Sequence, residues 1–242
     1  MAGSTNKCKS DFLNHIVTKI KMIGYKYSSL GIISLTALAC YLLTPLAQAK
    51  VFDPATFQLD NGMQVFLIEN HRSPVVSHMI LYKVGSIDEE PGQSGIAHFL
   101  EHLMFKGTPR FPNGLFSQLV ARNGGQENAF TSYDYTGYYQ VISRDHLEIV
   151  MDMEADRMKN LSITELEVET ERNVVLEERR TRVDRNPRAI LHEQANASLY
   201  VNHPYRRPII GWEHEILSLD HIKIMKFYRR WYMPNNALLI IA

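Results

Sequence analysis

Apolar and polar residues after position 50 alternate first in short runs typical of strands. Two such runs flank Asp60-Asn61-Gly62, and an Asn-Gly pair between apolar runs is typical of a β-hairpin. The run at 75–84 is rich in β-branched and aromatic residues, which favour strands. The predicted strands are residues 57–59, 65–68, 75–84, 129–131, 136–142 and 238–241.

Most of the remaining segments have apolar residues at helical spacing. Residues that end helices separate these segments, such as Gly107 and Pro109 after the first helix and Asn186-Pro187 after the fourth. The predicted helices are residues 94–105, 115–122, 146–158, 164–182, 188–200 and 219–232. Strands grouped first and helices mixed in afterwards predict an α+β fold, in which helices pack on one face of a largely antiparallel sheet.

The first 49 residues are typical of a targeting segment. A lysine-bearing stretch leads into an apolar run at 30–46, which is shorter than the about 20 apolar residues of a spanning helix. Ala47-Gln48-Ala49 offers small residues where a signal peptidase reads them, so we predict cleavage before Lys50. An uncleaved amino-terminal anchor and, more weakly, a lipid-modified Cys40 are the alternatives. Residues 50–242 then form one domain.

Composition and charge exclude several classes of protein. The chain is 45% hydrophobic and carries 26 basic and 26 acidic residues, which is ordinary for a globular protein. Residues 1–49 hold five lysines and one aspartate, so residues 50–242 carry a net charge of −4 and offer no basic nucleic-acid-binding surface. Both cysteines, Cys8 and Cys40, lie in the targeting segment, so thiol chemistry and a disulfide framework are excluded for the rest.

The sequence His98-Phe99-Leu100-Glu101-His102 lies within the first predicted helix. Positions i and i+4 share a helix face, so the two imidazoles can bind one tetrahedral zinc ion, with Glu101 beside the open coordination position. Phe99 and Leu100 point the other way, toward the core. This His-x-x-Glu-His order is the inverzincin motif. The alternative is a pair of surface histidines with an acidic neighbour, and a third ligand from elsewhere decides between them.

Acidic residues on the predicted helix 164–182 are candidates for that third ligand. They include Glu165, Glu167, Glu169, Glu171, Glu177 and Glu178. Residues seven apart return to nearly the same helix face, as Glu171 and Glu178 do. Val174 and Val175 lie between them, which indicates that this face points inward and that its glutamates need a partner such as a metal.

Two glutamates near the end of this predicted helix have alternatives to metal binding. Glu177 lies about a hundred degrees away from the Glu171–Glu178 face, so we expect it to be solvated. Glu178 could instead form an ion pair with Arg182, four residues later. Spacing alone does not separate this ion pair from metal binding.

Motifs along nearly all of residues 50–242 resemble one enzyme family. They include Ser-Gly-Ile-Ala-His at 94–98, Gly-Thr at 107–108, Gly-Gly at 124–125, Asn-Ala-Phe-Thr-Ser at 128–132, Asp-Tyr-Thr at 134–136, Ala-Asp-Arg-Met at 155–158, Glu-Arg-Asn-Val-Val-Leu-Glu-Glu at 171–178 and His-Pro-Tyr at 203–205. Pro208, Gly211 and the segment 232–237 complete the set. In this order they resemble the M16 (pitrilysin/insulinase) metallopeptidases, especially bacterial members similar to the mitochondrial processing peptidase.

The resemblance implies a set of site residues. It implies a zinc-dependent endopeptidase with one Zn²⁺ per chain, in which Glu178 is the third ligand and Glu171 is a supporting carboxylate among the catalytic residues. Glu101 would be the general base for a metal-activated water. Residues Asn128, Ala129, Phe130 and Thr131 would form an edge strand to which the substrate backbone adds. For Phe130 a purely structural place in the core is an equal alternative.

The resemblance also implies partners and a location. Family members join this domain to a second one of similar fold, which would follow in the same protein or belong to a partner subunit in a dimer. The run at 238–241 stops in mid-strand, so we expect further chain. Peptides or unfolded proteins are the expected substrates, and the targeting segment implies export across the inner membrane to the periplasm. Alternatives are a non-catalytic subunit that binds peptides or scaffolds a partner, and a binding module anchored through residues 1–49.

Overall fold

The computed structural model describes residues 53–112 and 114–242. The predicted signal peptide or anchor at 1–49 lies outside the described residues. No helix within the described ranges combines the length and the apolar character that crossing a bilayer requires.

Six strands form one mixed sheet. They are β1 (Ala55–Gln58), β2 (Gln64–Leu67), β3 (Val75–Tyr82), β4 (Gln126–Thr131), β5 (Thr136–Ser143) and β6 (Ala237–Ile241). Their spatial order is β1-β2-β6-β3-β5-β4. Only the β2–β6 pair is parallel among the described strands, and the other four pairs are antiparallel. The prediction of a largely antiparallel sheet is therefore confirmed.

Seven α-helices accompany the sheet in the described residues. They are α1 (Ile96–Leu103), α2 (Leu115–Arg122), α3 (Leu147–Asn160), α4 (Glu165–Arg179), α5 (Pro187–Leu199), α6 (Glu213–Ser218) and α7 (His221–Trp231). The predicted helix 164–182 is α-helical only to Arg179 and continues as a π-helical turn over Arg180–Asp184. The pattern missed α6, because six residues are too few to show helical periodicity.

The hydrophobic core lies on one face of the sheet. In β3 the side chains of His78, Ile80 and Tyr82 are buried, whereas Met79 and Leu81 on the opposite face are partly exposed. The main core joins sheet residues to residues of five helices, including Ile80, Tyr82, Tyr138, Leu100, Met158, Val175, Ile216 and Ile224. Helices therefore pack on one face of the sheet, as predicted.

Local sequence fixes the helix α4, which lies beside α1 in this core. Thr164 accepts a hydrogen bond from the backbone N–H of Glu167 (3.2 Å), and Glu167 accepts one from the backbone N–H of Thr164 (2.7 Å). This reciprocal capping box satisfies free backbone donors at the start of the helix. Val168 and Val175 are buried against the core, which orients the same side of α4 toward α1.

Candidate metal centre

Two histidines of α1 and one glutamate of α4 converge. Glu178 Oε2 lies 3.5 Å from His98 Nε2 and 3.3 Å from His102 Nε2. One ligand atom from each residue lies within 4.8 Å of the others. Donor atoms that are each about 2.0–2.1 Å from a tetrahedral metal lie about 3.3 Å apart. The two Glu178–histidine distances therefore fit a metal ion such as Zn²⁺.

The hydrogen bonding of Glu178 also fits a metal. Its Oε1 atom pairs with Arg182 at 2.7 Å, so the ion pair expected from the i+4 spacing is present. Its Oε2 atom is buried and, apart from facing the two imidazoles, has no hydrogen-bond partner. A buried carboxylate oxygen is stabilised by a positive charge beside it, which a cation between the three side chains would supply. The two interpretations of Glu178 thus involve different oxygens and do not exclude each other.

Glu171 holds the far side of the His102 ring. Its Oε1 atom is 2.9 Å from His102 Nδ1, and its Oε2 atom is 2.5 Å from Lys106 Nζ. A carboxylate only accepts, so Nδ1 carries a proton, and a metal can bind at Nε2 once the proton on that nitrogen has left. Lys106 was not predicted from the sequence as a residue of the site. Its place four residues after His102 was the available signal.

The two histidines of the site have very different pKa values. Burial and the neighbouring His102 lower the pKa of His98 to about 4, so this ring is neutral at pH 7. Burial also acts to lower the pKa of His102, but the Glu171 and Glu178 carboxylates outweigh it and raise the pKa to about 9. The hydrogen bond from His102 lowers the pKa of Glu171 to about 2, with Lys106 acting in the same direction. In the metal-free chain, His102 therefore carries a proton that a metal would have to displace.

Glu101 lies on the same helix, between the two histidines in sequence. It is buried and accepts a hydrogen bond of 2.5 Å from Thr131 Oγ1. Burial raises the pKa of Glu101, while the Thr131 hydroxyl opposes that rise. A carboxyl with a raised pKa exchanges protons closer to neutral pH, which suits a general base.

Strand β4 is an edge strand of the sheet. Within the described residues it pairs with β5 alone, so its other edge offers backbone groups for pairing. Thr131 contacts Glu101 and Ala129 packs against the main core, which places both side chains on the helix-covered face. Asn128 is exposed, and its side-chain oxygen accepts a hydrogen bond from the backbone N–H of Ala129.

The ring of Phe130 lies on the opposite face of the sheet from the metal centre. It packs against Tyr135 and Tyr139, with ring centroids 6.0 and 6.4 Å away. It also covers Gly137, where an added Cβ would lie 2.5 Å from the ring. The side chain of Phe130 is therefore packed into the sheet, and only its backbone lies on the edge.

The prediction that Val174 and Val175 both lie on an inward face of α4 is wrong. Val175 is buried, but Val174 is 47% exposed, so the two valines do not mark one inward face. At about 100° per residue, Val175 lies about 40° from Glu171 and Val174 about 60° away on the other side. Glu171 and Glu178, about 20° apart, both reach His102. Glu177 is about half exposed, as expected, and pairs with Arg180 and Arg185.

These features together form a candidate metal site, built from His98, His102 and Glu178, on an α+β domain. Residues 64–213, more than half of the chain, match the model of the family described as Insulinase (Peptidase family M16), and the chain belongs to this family.

Similar proteins agree with this assignment. The chain is 38% identical over 197 residues to the zinc protease PqqE of Helicobacter pylori, a match that covers 81% of this chain and 44% of that protein. The crystal structure of a protease from Helicobacter pylori aligns with a TM-score of 0.76 at 38% identity, over 78% of this chain and 46% of that one. The first half of the periplasmic protease PqqL from Escherichia coli aligns with a TM-score of 0.71 at 29% identity, over 78% and 42%. The chain thus spans about half the length of the curated relatives it matches.

Proposed function

We propose that this chain is the zinc-binding half of an M16 endopeptidase, with His98, His102 and Glu178 as ligands to one Zn²⁺. The observation that carries the proposal is the position of Glu178 Oε2, which faces both Nε2 atoms at 3.5 and 3.3 Å and lacks any other partner. Those distances match the edges of a tetrahedral coordination sphere. Membership of a peptidase family supports the same reaction class.

Each residue has a distinct part in the proposed hydrolysis. When bound, zinc polarises the scissile carbonyl and lowers the pKa of water from 15.7 to about 7. Glu101 takes a proton from the attacking water and passes it to the leaving amide nitrogen. Glu171 orients the His102 ring through Nδ1, and Lys106 holds Glu171 in turn.

The outer edge of β4 is the proposed place for the substrate backbone. An extended peptide can pair with the free edge at Asn128, Ala129, Phe130 and Thr131 as an additional strand. The Thr131–Glu101 hydrogen bond joins the end of this strand to the general base, so a peptide bound there passes close to the reacting groups. Backbone hydrogen bonds recognise an extended peptide whatever its side chains are, which suits unfolded proteins and peptides as substrates.

A second M16-type domain would complete the active site. The chain matches only 44% of the length of PqqE, so we propose that such a domain, in the same protein or in a partner subunit, closes over the peptide. The 242-residue chain alone would then bind zinc but cleave peptides weakly. The targeting pattern at 1–49 and the similarity to a periplasmic protease support a periplasmic location.

Metal analysis and a quenched-peptide assay, with and without a chelator, test the proposal. We expect one zinc per chain and cleavage that the chelator abolishes. Glu101→Gln should keep zinc and lower kcat at least about 100-fold, the range for a general base. Equal cleavage by the wild type and Glu101→Gln would overturn the role of Glu101. Zinc binding with no chelator-sensitive cleavage, even in the longer protein, would instead indicate the non-catalytic subunit.

A further inference from the structure

The start of helix α1 lies directly against the loop before α6. Gly95, the residue before α1, has φ +87°, and Gly211 in the loop has φ +90°. A Cβ on Gly95 would lie 2.9 Å from the Cα of Gly211, and a Cβ on Gly211 would lie 2.7 Å from the Cα of Gly95. Any side chain at either position would push the two backbones apart. The pair of glycines therefore sets how closely the histidine-bearing helix approaches the loop.

Side-chain hydrogen bonds fix this contact on the loop side. The hydroxyl of the buried Ser94 accepts a hydrogen bond of 2.9 Å from the backbone N–H of Trp212. The backbone N–H of Ser94 donates to Glu215 Oε2 at 2.6 Å. The residues just before α1 are thus joined to the loop by backbone contact and one hydrogen bond, and to α6 by a second hydrogen bond.

Arg179 reaches the same loop from the other metal-binding helix. It directly follows Glu178 and donates a hydrogen bond of 2.7 Å to the carbonyl oxygen of Gly211. It also forms a two-bond pair with Glu193 of α5, both bonds being 2.9 Å long, and an ion pair of 3.5 Å with Asp184. The residue is only 6% exposed, so these interactions are shielded from solvent and from salt.

We propose that Arg179 is a positioning residue that sets Glu178 against His98 and His102 through the carbonyl of Gly211. This inference rests on the proposed function, since it assumes that these three side chains hold zinc. The Arg179–Gly211 bond ties the end of α4 to the loop, and the Gly211–Gly95 contact ties the loop to the start of α1. Metal affinity depends on how well the ligands are held before the ion arrives.

The shape of the guanidinium explains why arginine is suited to this position. Its planar fork can bind the Glu193 carboxylate with two parallel bonds while another N–H reaches the Gly211 carbonyl. A lysine has one compact ammonium on a flexible stem and cannot reproduce this set of directions. We therefore expect Arg179→Lys to restore only part of the function that Arg179→Met removes.

The test compares Zn²⁺ dissociation constants of variants of the 242-residue chain, measured by competition with a chromophoric chelator. Arg179→Met should weaken zinc binding about 10- to 100-fold, the usual effect of removing a residue that supports metal ligands. Arg180→Met is the matched control, because Arg180 is the next residue but is about half exposed and pairs with Glu177 on the surface. It should leave zinc affinity unchanged.

Circular dichroism and the unfolding temperature of each metal-free variant separate positioning from simple destabilisation. The inference holds if Arg179→Met is folded at the assay temperature, binds zinc more weakly and regains part of the affinity in Arg179→Lys. It is wrong if the folded Arg179→Met variant binds zinc like the wild type. If Arg179→Met does not fold, Glu193→Gln serves instead, with an expected loss of affinity that is smaller but measurable. Failure of the wild type to bind zinc would overturn the proposed function itself.

Discussion

Thr131 donates a hydrogen bond of 2.5 Å to Glu101 and so links the edge strand β4 to the helix that carries both histidines. The contact joins the proposed peptide-binding strand to the proposed general base. The hydroxyl lowers the pKa of Glu101 against the effect of burial. A residue on the substrate strand therefore tunes the group that would accept the proton.

Thr131→Val should shift the acid limb of the pH–rate profile to higher pH. Without the hydroxyl, burial raises the pKa of Glu101 further, and a general base works only when it is deprotonated. Activity below the limb should fall and recover as the pH rises, while zinc content stays the same. The measurement is kcat/KM of the 242-residue chain against pH. Thr131→Ser, which keeps the hydroxyl, should restore the wild-type limb; an unmoved limb in Thr131→Val would show that the contact does not tune the base.

Zinc affinity should rise with pH between about 6 and 9. The carboxylates around His102 raise its pKa to about 9, so below that pH zinc has to displace a proton from the ring. The apparent affinity should gain about tenfold per pH unit and level off as the pH passes 9. His98, with a pKa of about 4, adds nothing to this slope above pH 5. Chelator competition at constant ionic strength measures it, and an affinity independent of pH from 6 to 8 would contradict a protonated His102.

Lys106→Met should weaken zinc binding by up to about tenfold. Lys106 Nζ pairs with Glu171 Oε2 at 2.5 Å and helps to keep the pKa of Glu171 low. Its loss leaves the carboxylate that orients His102 less firmly held. Lys159→Met, at an exposed position on α3, is the control and should bind zinc like the wild type. The dissociation constant for Zn²⁺ is the readout, and equal values for the two variants would show that Lys106 does not support the site.

Glu154→Gln should lower the free energy of unfolding by about 3–5 kcal/mol, because it leaves a buried arginine without its counter-charge. Glu154 is fully buried and binds the guanidinium of Arg157 through bonds of 2.6 and 2.5 Å. The matched control is Asp152→Asn on the same helix, where the Asp152–Arg110 pair is about half exposed. Exposed pairs contribute little to stability, so Asp152→Asn should leave the free energy of unfolding nearly unchanged. Urea unfolding measures both, and a loss below about 1 kcal/mol for Glu154→Gln would mean that solvent reaches the pair.

The sequence predicted each of the six strands and the longer helices because periodicity and turn residues are local signals. The Asn-Gly turn, for example, appears as expected between β1 and β2, with Gly62 at φ +88°. The order of the strands was not predictable. β6 lies between β2 and β3 although some 150 residues separate it from them, and local patterns carry no information on such long-range pairing.

Local spacing also predicted part of the candidate site. The i, i+4 spacing placed His98 and His102 on one helix face. The seven-residue spacing placed Glu171 and Glu178 on one face of α4, and both contact the ring of His102. The contacts of Arg179, Lys106 and Thr131 depend on loops and strands that meet only in three dimensions. The roles of the predicted ligands, base and substrate strand stay predictions until metal and activity are measured.

The central position of β6 determines when this domain can form during synthesis. Among the described strands, the β1–β2 hairpin pairs with the rest of the sheet only through β6. The hairpin therefore lacks its sheet neighbour until β6 has left the ribosome. Folding of the whole sheet is therefore delayed until after translation of this region. Such a delay suits the export proposed above, because a polypeptide that has not yet closed its sheet can still pass through a narrow channel.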